Sequence, residues 1–263
     1  MVPLGWMGHP FGQDRAVRTG RETAGNPIRE VRAERRTIMT RNLFEQQLHH
    51  LQDDILELGS SVEQSLLDVV AALRRRDLAA ARKIEAHDAV INKKRFAIEE
   101  ACLTLIATQQ PMARDLRILA AILEVITELE RMGDYVKGIA HIITLLGPEP
   151  LPPDLLDHFD TMASQATRML LRSLKAFLAG DAVAAKAIPR DDDEVDKLYN
   201  QIYRELVNQM IANPDSIDHA THLLWVAHNL ERFADRVTNI CERTLFTATG
   251  ELMEISSTGD GAG

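Results

Sequence analysis

The chain has 263 residues, of which 45% are hydrophobic but only 5% aromatic, and its formal net charge is -9 at pH 7. That length allows one or two domains with an ample core, and the acidic balance argues against a nucleic-acid partner, which needs a basic surface. The longest apolar region, Ile118 to Ile126, is interrupted by Glu124 and falls short of the roughly 18–20 residues of a membrane span. Leu, Ala, Ile, Arg, Glu and Asp dominate while Gly and Pro cluster at a few positions, which is the composition of an all-α protein.

Residues 1–38 differ in character from the rest of the chain. They hold Pro3, Pro10 and Pro27 and an excess of Arg over acids, without apolar periodicity or the apolar core of a secretory signal. They read as a disordered leader, an upstream extension ahead of a start at Met39. Asn42 with Glu45 forms a capping-box pattern and opens a helix reaching about Arg75, with Leu51, Ile55, Leu58, Val62, Leu66, Val69 and Leu73 on one face. Asp77 is a good N-cap for a second helix ending near residue 108. Pro111 suits the first turn of a third helix, which runs to about Leu146.

The Pro-rich stretch 148–153, directly after Gly147, cannot be helical and reads as the internal linker. A fourth helix follows from about Asp154 to Ala179, then a C-cap and N-cap at Gly180-Asp181. The fifth is kinked or briefly broken at Pro189. Asn213-Pro214 opens the sixth, and residues 251–263 read as a disordered tail.

The halves 39–147 and 154–250 align with each other. Leu66 pairs with Leu170, Asp77 with Asp181, Asp88 with Asp192, Asn92 with Asp196 and Ile98 with Ile202 at one offset. A slightly smaller offset then pairs Glu130 with Glu231 and Asp134 with Asp235. The fold expected is two tandem three-helix bundles of six long helices, made by internal duplication.

Glu130-Arg131-Met132-Gly133-Asp134 and Glu231-Arg232-Phe233-Ala234-Asp235 keep their Glu and Asp one helical turn apart in both copies. The preceding helix carries Asp88 and Asn92 in the first half and Asp192 and Asp196 in the second, also one turn apart. At about 1.5 Å of rise per residue the pairs on antiparallel neighbours lie at one height, facing each other near one end of each bundle. Such groups raise each other's pKa or call for a cation. All-oxygen donors favour Mg, Ca, Mn or Fe. The competing reading makes them solvated charges paired with Arg131 and Arg232. Retention of the pattern in both copies favours metal binding, at Asp88, Asn92, Glu130, Asp134, Asp192, Asp196, Glu231 and Asp235.

Weaker signals accompany these. His228, one turn before Glu231, could add a nitrogen donor, but its counterpart is Thr127 and a polar surface role is favoured. His49, His50, His219 and His222 have no counterparts and read as surface residues. Arg114 and Arg117 at a helix start could receive an anion, or Asp115 could simply oppose the helix dipole. Cys102 and Cys241 fit buried reduced thiols. No phosphate loop, nucleophile elbow or catalytic triad is evident.

These paired motifs, with Pro111-Met112-Ala113-Arg114-Asp115-Leu116-Arg117 and the opening Met39-Thr40-Arg41 through Leu58-Gly59, resemble the PhoU family over about residues 40–250. The resemblance implies multinuclear metal clusters at the acidic motifs, iron first, with manganese, zinc or magnesium as alternatives. It further implies a non-enzymatic cytoplasmic regulator, a homodimer that reaches the membrane only through partners. Those partners would be the ATPase of a phosphate ABC transporter and a phosphate-sensing histidine kinase, with the phosphate-starvation response damped when phosphate is plentiful. Two departures stand out: Asn92 occupies an Asp-type position, which weakens the first site, and the Arg-rich leader lies outside the family pattern. A carboxylate-bridged metalloenzyme and a purely structural oligomerisation protein are the alternatives.

Overall fold

The computed structural model describes residues 27–146 and 151–255, with side chains from Arg41 onward. The chain divides into two compact units, Met1–Arg41 and Asn42–Gly263; of the first, the helical backbone from Pro27 is described. Helix α1 spans Pro27–Arg75, α2 Leu78–Gln109 and α3 Arg114–Leu145. In the second repeat α4 spans Pro153–Ala179, α5 Ala182–Ala187, α6 Asp192–Ala212 and α7 Ile217–Thr249. Short 3-10 turns at Ile188–Asp191 and Pro214–Ser216 separate α5 from α6 and α6 from α7. Among the described residues there is no strand, and no helix is long and apolar enough to cross a membrane. This is the all-α architecture of two tandem three-helix bundles, the middle helix of the second being interrupted.

Local chemistry sets most boundaries. The Asp77 carboxylate accepts from the Ala80 N–H at 2.9 Å, and Asp181 accepts from Val183 and Ala184 at 3.0 Å each. Each capping carboxylate satisfies donors that have no partner inside the helix. Gly180 ends α4 in the left-handed region, and Arg76 takes the same conformation at the equivalent place in the first repeat. Pro189 falls in the 3-10 turn, where the middle helix of the second repeat breaks.

Three expectations need correction. Helix α1 begins at Pro27, not near Asn42, so Asn42 is an interior residue. No breaker separates Ile28 from Asn42, and the intervening Arg and Glu residues are good helix formers. Pro111 lies ahead of α3, not in its first turn, because Gln110 and Ala113 both adopt positive φ near 47° and turn the chain before Arg114. The internal linker ends one residue earlier than expected, since Pro153 itself opens α4. Residues 1–26 of the leader, Gly147–Pro150 of the linker and residues 256–263 of the tail lie outside the described residues.

Helices α3 and α7, the last of each repeat, pack on each other. Glu124 meets Arg243 at 3.1 Å, Glu128 accepts from Asn239 at 3.0 Å, and Tyr135 bonds Arg232. Asn229 lies 3.4 Å from where a Cβ on Gly138 would stand. Partners advance along α3 as they recede along α7, so the two helices run antiparallel, related by a local two-fold near Gly133 and Ala234. Leu129, Met132, Val136, Leu230, Phe233 and Val237 are all buried at this level. The remaining helices cover the outer flanks: α2 lies on α3, and α4 and α6 lie on α7. Across the other side, Gly59 of α1 faces Leu174 of α4, and Arg74 reaches Asp157 and Asp160 at 2.5 Å each. Cys102 and Cys241 are buried, unpaired thiols, and burial pushes both up to about 12.

Gly133 lies at a close approach of α2 to α3. A Cβ there would stand 3.2 and 3.3 Å from Ile91 carbons. The second repeat has Ala234 and Val195 at these two positions, trading a methyl group from one helix to the other. Ile91→Val alone should cost about 0.5–1.5 kcal/mol. Gly133→Ala alone sets about 1 kcal/mol of helix propensity against about 1–3 kcal/mol of overpacking. The double variant should be more stable than the sum of the singles by about 1 kcal/mol in urea unfolding, and strict additivity would contradict this fit.

Candidate metal centre

In the first repeat, α2 presents Asp88 and Asn92 and α3 presents Glu130 and Asp134. They meet at the middle of α3, not near a bundle end, because Gly133 lets α2 approach there. Asp88 is only 6% exposed. Its Oδ2 accepts from the Lys137 ammonium at 2.8 Å and from the Asn92 amide at 3.2 Å, while its Oδ1 is buried without a hydrogen-bond partner. Burial, and then repulsion from Asp134, raise the Glu130 carboxyl. Burial and then Asp88 raise Asp134. All four expected residues therefore share one locus. Lys137 belongs to it as well and was not anticipated.

The second repeat gathers a different set. Asp192 opens α6 and is 4% exposed. Burial foremost, then Asp196, Asp235 and Glu231, push its carboxyl up to about 7. Glu231 is also raised to about 7, by burial and then Asp235, against the opposing pull of Arg232 and Arg236. Asp196 is raised by burial and by Asp235. Asp192 Oδ1 and Glu231 Oε2 are buried with no hydrogen-bond partner. Four carboxylates thus face one another, and two of their oxygens have lost water without gaining a donor.

The arginines inside the motifs do not provide symmetric compensation. Arg131 pairs with Glu128 at 2.9 Å, while Arg232 pairs with Asp235 at 3.0 Å. Arg236 turns to Glu128 at 3.5 Å. His228 lies beside the second group, its Nδ1 3.6 Å from Glu231 Oε2, with Trp225 edge-on at 5.7 Å and Tyr199 at 6.3 Å. Among the other histidines, His49 and His50 are exposed, whereas His219 and His222 are half-buried, not on the surface.

Among the described residues, no three His, Cys, Asp or Glu side chains close around a single point as a finished metal cage. The second repeat nonetheless brings together oxygen donors, burial, mutual repulsion and two orphaned oxygens, conditions that a divalent cation would relieve. Those residues fit a divalent cation. The first group fits less well, because Lys137 already neutralises Asp88.

Arg114 and Arg117 line a cavity of about 480 Å³ with Gln52, Phe177, Gly180 and Thr247. The Arg117 guanidinium lies 3.6 Å from the Cβ position of Gly250, which caps the C-terminus of α7. The α4 C-cap, Gly180, lines the same cavity. The two arginines thus line a cavity that the carbonyl end of α4 also lines, with Arg117 close to the end of α7.

The raised carboxyls give a pH dependence with a definite sign. Between about pH 4 and 7 the native state holds protons that the unfolded chain has released, so stability falls as pH rises through that window. Chelator-treated protein should melt several degrees higher at about pH 5.5 than at about pH 8. Asp192→Asn with Glu231→Gln should flatten that slope, and a metal-free melting temperature that rises toward pH 8 would contradict the assignment.

Comparison with known proteins sets these features in context. The PhoU domain family model matches twice, over residues 55–143 and 159–244, once in each repeat. The phosphate-specific transport system accessory protein PhoU homolog of Clostridium acetobutylicum is 34% identical across 83% of this chain and 100% of its own length. The homolog from Streptococcus pneumoniae serotype 4 is 36% identical across 82% of this chain and 100% of its own. Among solved structures, the phosphate transport system regulatory protein PhoU from Streptococcus pneumoniae superposes with a TM-score of 0.75 at 34% identity, covering 80% of this chain and 99% of that one. PhoU from Pseudomonas aeruginosa gives 0.74 at 31% identity, covering 79% of this chain and 100% of that one. With the family's domain matched in both repeats and relatives spanned from end to end, the chain belongs to the PhoU family.

Proposed function

We propose that the chain is a non-enzymatic regulator of phosphate uptake. It would act in the cytoplasm as a homodimer, docking on the ATPase of a phosphate ABC transporter and on a phosphate-sensing histidine kinase. Through that link it would damp the phosphate-starvation response when phosphate is plentiful. The observation that carries this reading is the end-to-end match to proteins named as accessory and regulatory components of phosphate transport.

The geometry favours docking over turnover. The acidic groups belong to long rigid helices whose other faces are packed, so a bound cation would act on shape and surface charge. Asp192, Asp196, Glu231 and Asp235 would hold it, iron in the first instance and manganese, zinc or magnesium as alternatives, in a cluster of more than one ion. Once bound, the cation supplies positive charge among carboxylates that otherwise repel. Arg232 and Arg236 orient Asp235 and Glu231 from the α7 side, and the buried flank excludes water from Asp192.

The regulatory reading is tested in the native host. Deleting the gene should release phosphate-starvation genes from repression in phosphate-rich medium, and the full chain should restore it. Unchanged repression on deletion would overturn the reading. The metal reading is tested separately by elemental analysis of untagged protein. Wild type should carry at least one divalent metal per chain, and Asp192→Asn with Glu231→Gln should lose most of it; equal metal content in both would count against these ligands.

A further inference from the structure

Duplication gives each position in one repeat a counterpart in the other, so the two acidic groups can be compared residue by residue. Asp88, Glu130 and Asp134 match Asp192, Glu231 and Asp235, whereas Asn92 matches Asp196. Lys137, whose ammonium lies 2.8 Å from Asp88 Oδ2, matches Thr238. Arg95 of α2 faces Glu130 electrostatically, and its counterpart is Tyr199. The first repeat thus sets three carboxylates against an ammonium and a guanidinium. The second sets four carboxylates together, with Thr and Tyr where those cations stood.

The second group's own cations, Arg232 and Arg236, act on Asp235 and Glu231 of α7, not on Asp192 of α6. Arg232 engages Asp235 and Tyr135, and Arg236 reaches Glu128. His228 Nδ1 lies 3.6 Å from Glu231, whose carboxyl also feels Arg232 and Arg236. Asp192 is 4% exposed, and its Oδ1 has no donor. In the first repeat Asp88 Oδ1 is likewise without a donor, but its Oδ2 already takes two, from Lys137 and Asn92.

We infer that Lys137 is a built-in counter-ion that replaces a metal in the first repeat, so that only the second repeat recruits an exogenous divalent cation. The inference rests on the metal reading proposed above and adds that the duplicated sites have divided their labour. The first holds α2 to α3 by an internal ion pair in every state of the protein. The second makes the packing of α6 on α7 depend on the metal. A divalent cation entering the first group would have to displace an ammonium at hydrogen-bond distance, and the two positive charges repel. Because Lys137 is partly exposed and hydrogen-bonded to a buried carboxylate, it stays charged.

The test uses the full chain dialysed against Mn(II), with bound metal measured by elemental analysis and folding checked by circular dichroism. Wild type should bind manganese, and Asp192→Asn with Glu231→Gln should remove essentially all of it. Lys137→Thr with Asn92→Asp should roughly double the bound manganese. In the reverse graft, Thr238→Lys places an ammonium in the second group and should weaken manganese binding at least tenfold. That residue is half-buried and belongs to the second repeat. If Asp192→Asn with Glu231→Gln retains about half of the wild-type metal, the first repeat binds despite Lys137; the inference falls and the metal reading stands. If wild type binds no manganese and Lys137→Thr with Asn92→Asp gains none, both fall together.

Discussion

The antiparallel pairing of α3 with α7 is the constraint on which the rest depends. Each helix closes its own three-helix bundle and also forms the seam between the bundles. Their apolar faces, with Leu129, Met132 and Val136 on one and Leu230, Phe233 and Val237 on the other, are buried completely or nearly so. Polar bonds along the seam fix its register: Glu124 with Arg243, Glu128 with Asn239, Tyr135 with Arg232. Because the local two-fold passes near Gly133 and Ala234, both acidic motifs sit at the centre of the seam. Their carboxylates turn outward to meet α2 and α6.

Much of this was legible in the sequence, for definite physical reasons. Asp77 and Asp181 announce helix starts because their carboxylates are short enough to reach the backbone amides of the first turn. Gly180 announces a helix end because it tolerates the left-handed region. The rise per residue on antiparallel helices sufficed to bring Asp88 level with Glu130 and Asp134. The turn before α3 was hidden because it places Gln110 and Ala113 at positive φ, and neither residue type advertises that conformation. The early start of α1 was hidden because a capping pattern at Asn42 can also occur inside a helix that has no need of it.

The candidate site was legible in its acids and obscure in its cations. The repeat comparison highlights what is the same in both copies, and Lys137 and Thr238 differ. The same filter removed the seam contact between Glu128 and Asn239, whose counterparts are Asn229 and Gly138. That pair is instead a packing contact of an amide over a glycine. Internal symmetry therefore identified the acids that both copies share. Asymmetry, visible once partners were in place, identifies how the two copies have diverged.

The central claim is that Asp88 of the first locus carries its own ammonium while its counterpart Asp192 in the second carries none. Anomalous diffraction at the manganese edge from crystals grown with Mn(II) tests it most directly. The account predicts anomalous density among Asp192, Asp196, Glu231 and Asp235, with Lys137 still bonded to Asp88 and no peak beside it. Equal peaks in both repeats, or a peak at Asp88 with Lys137 swung away, would contradict it.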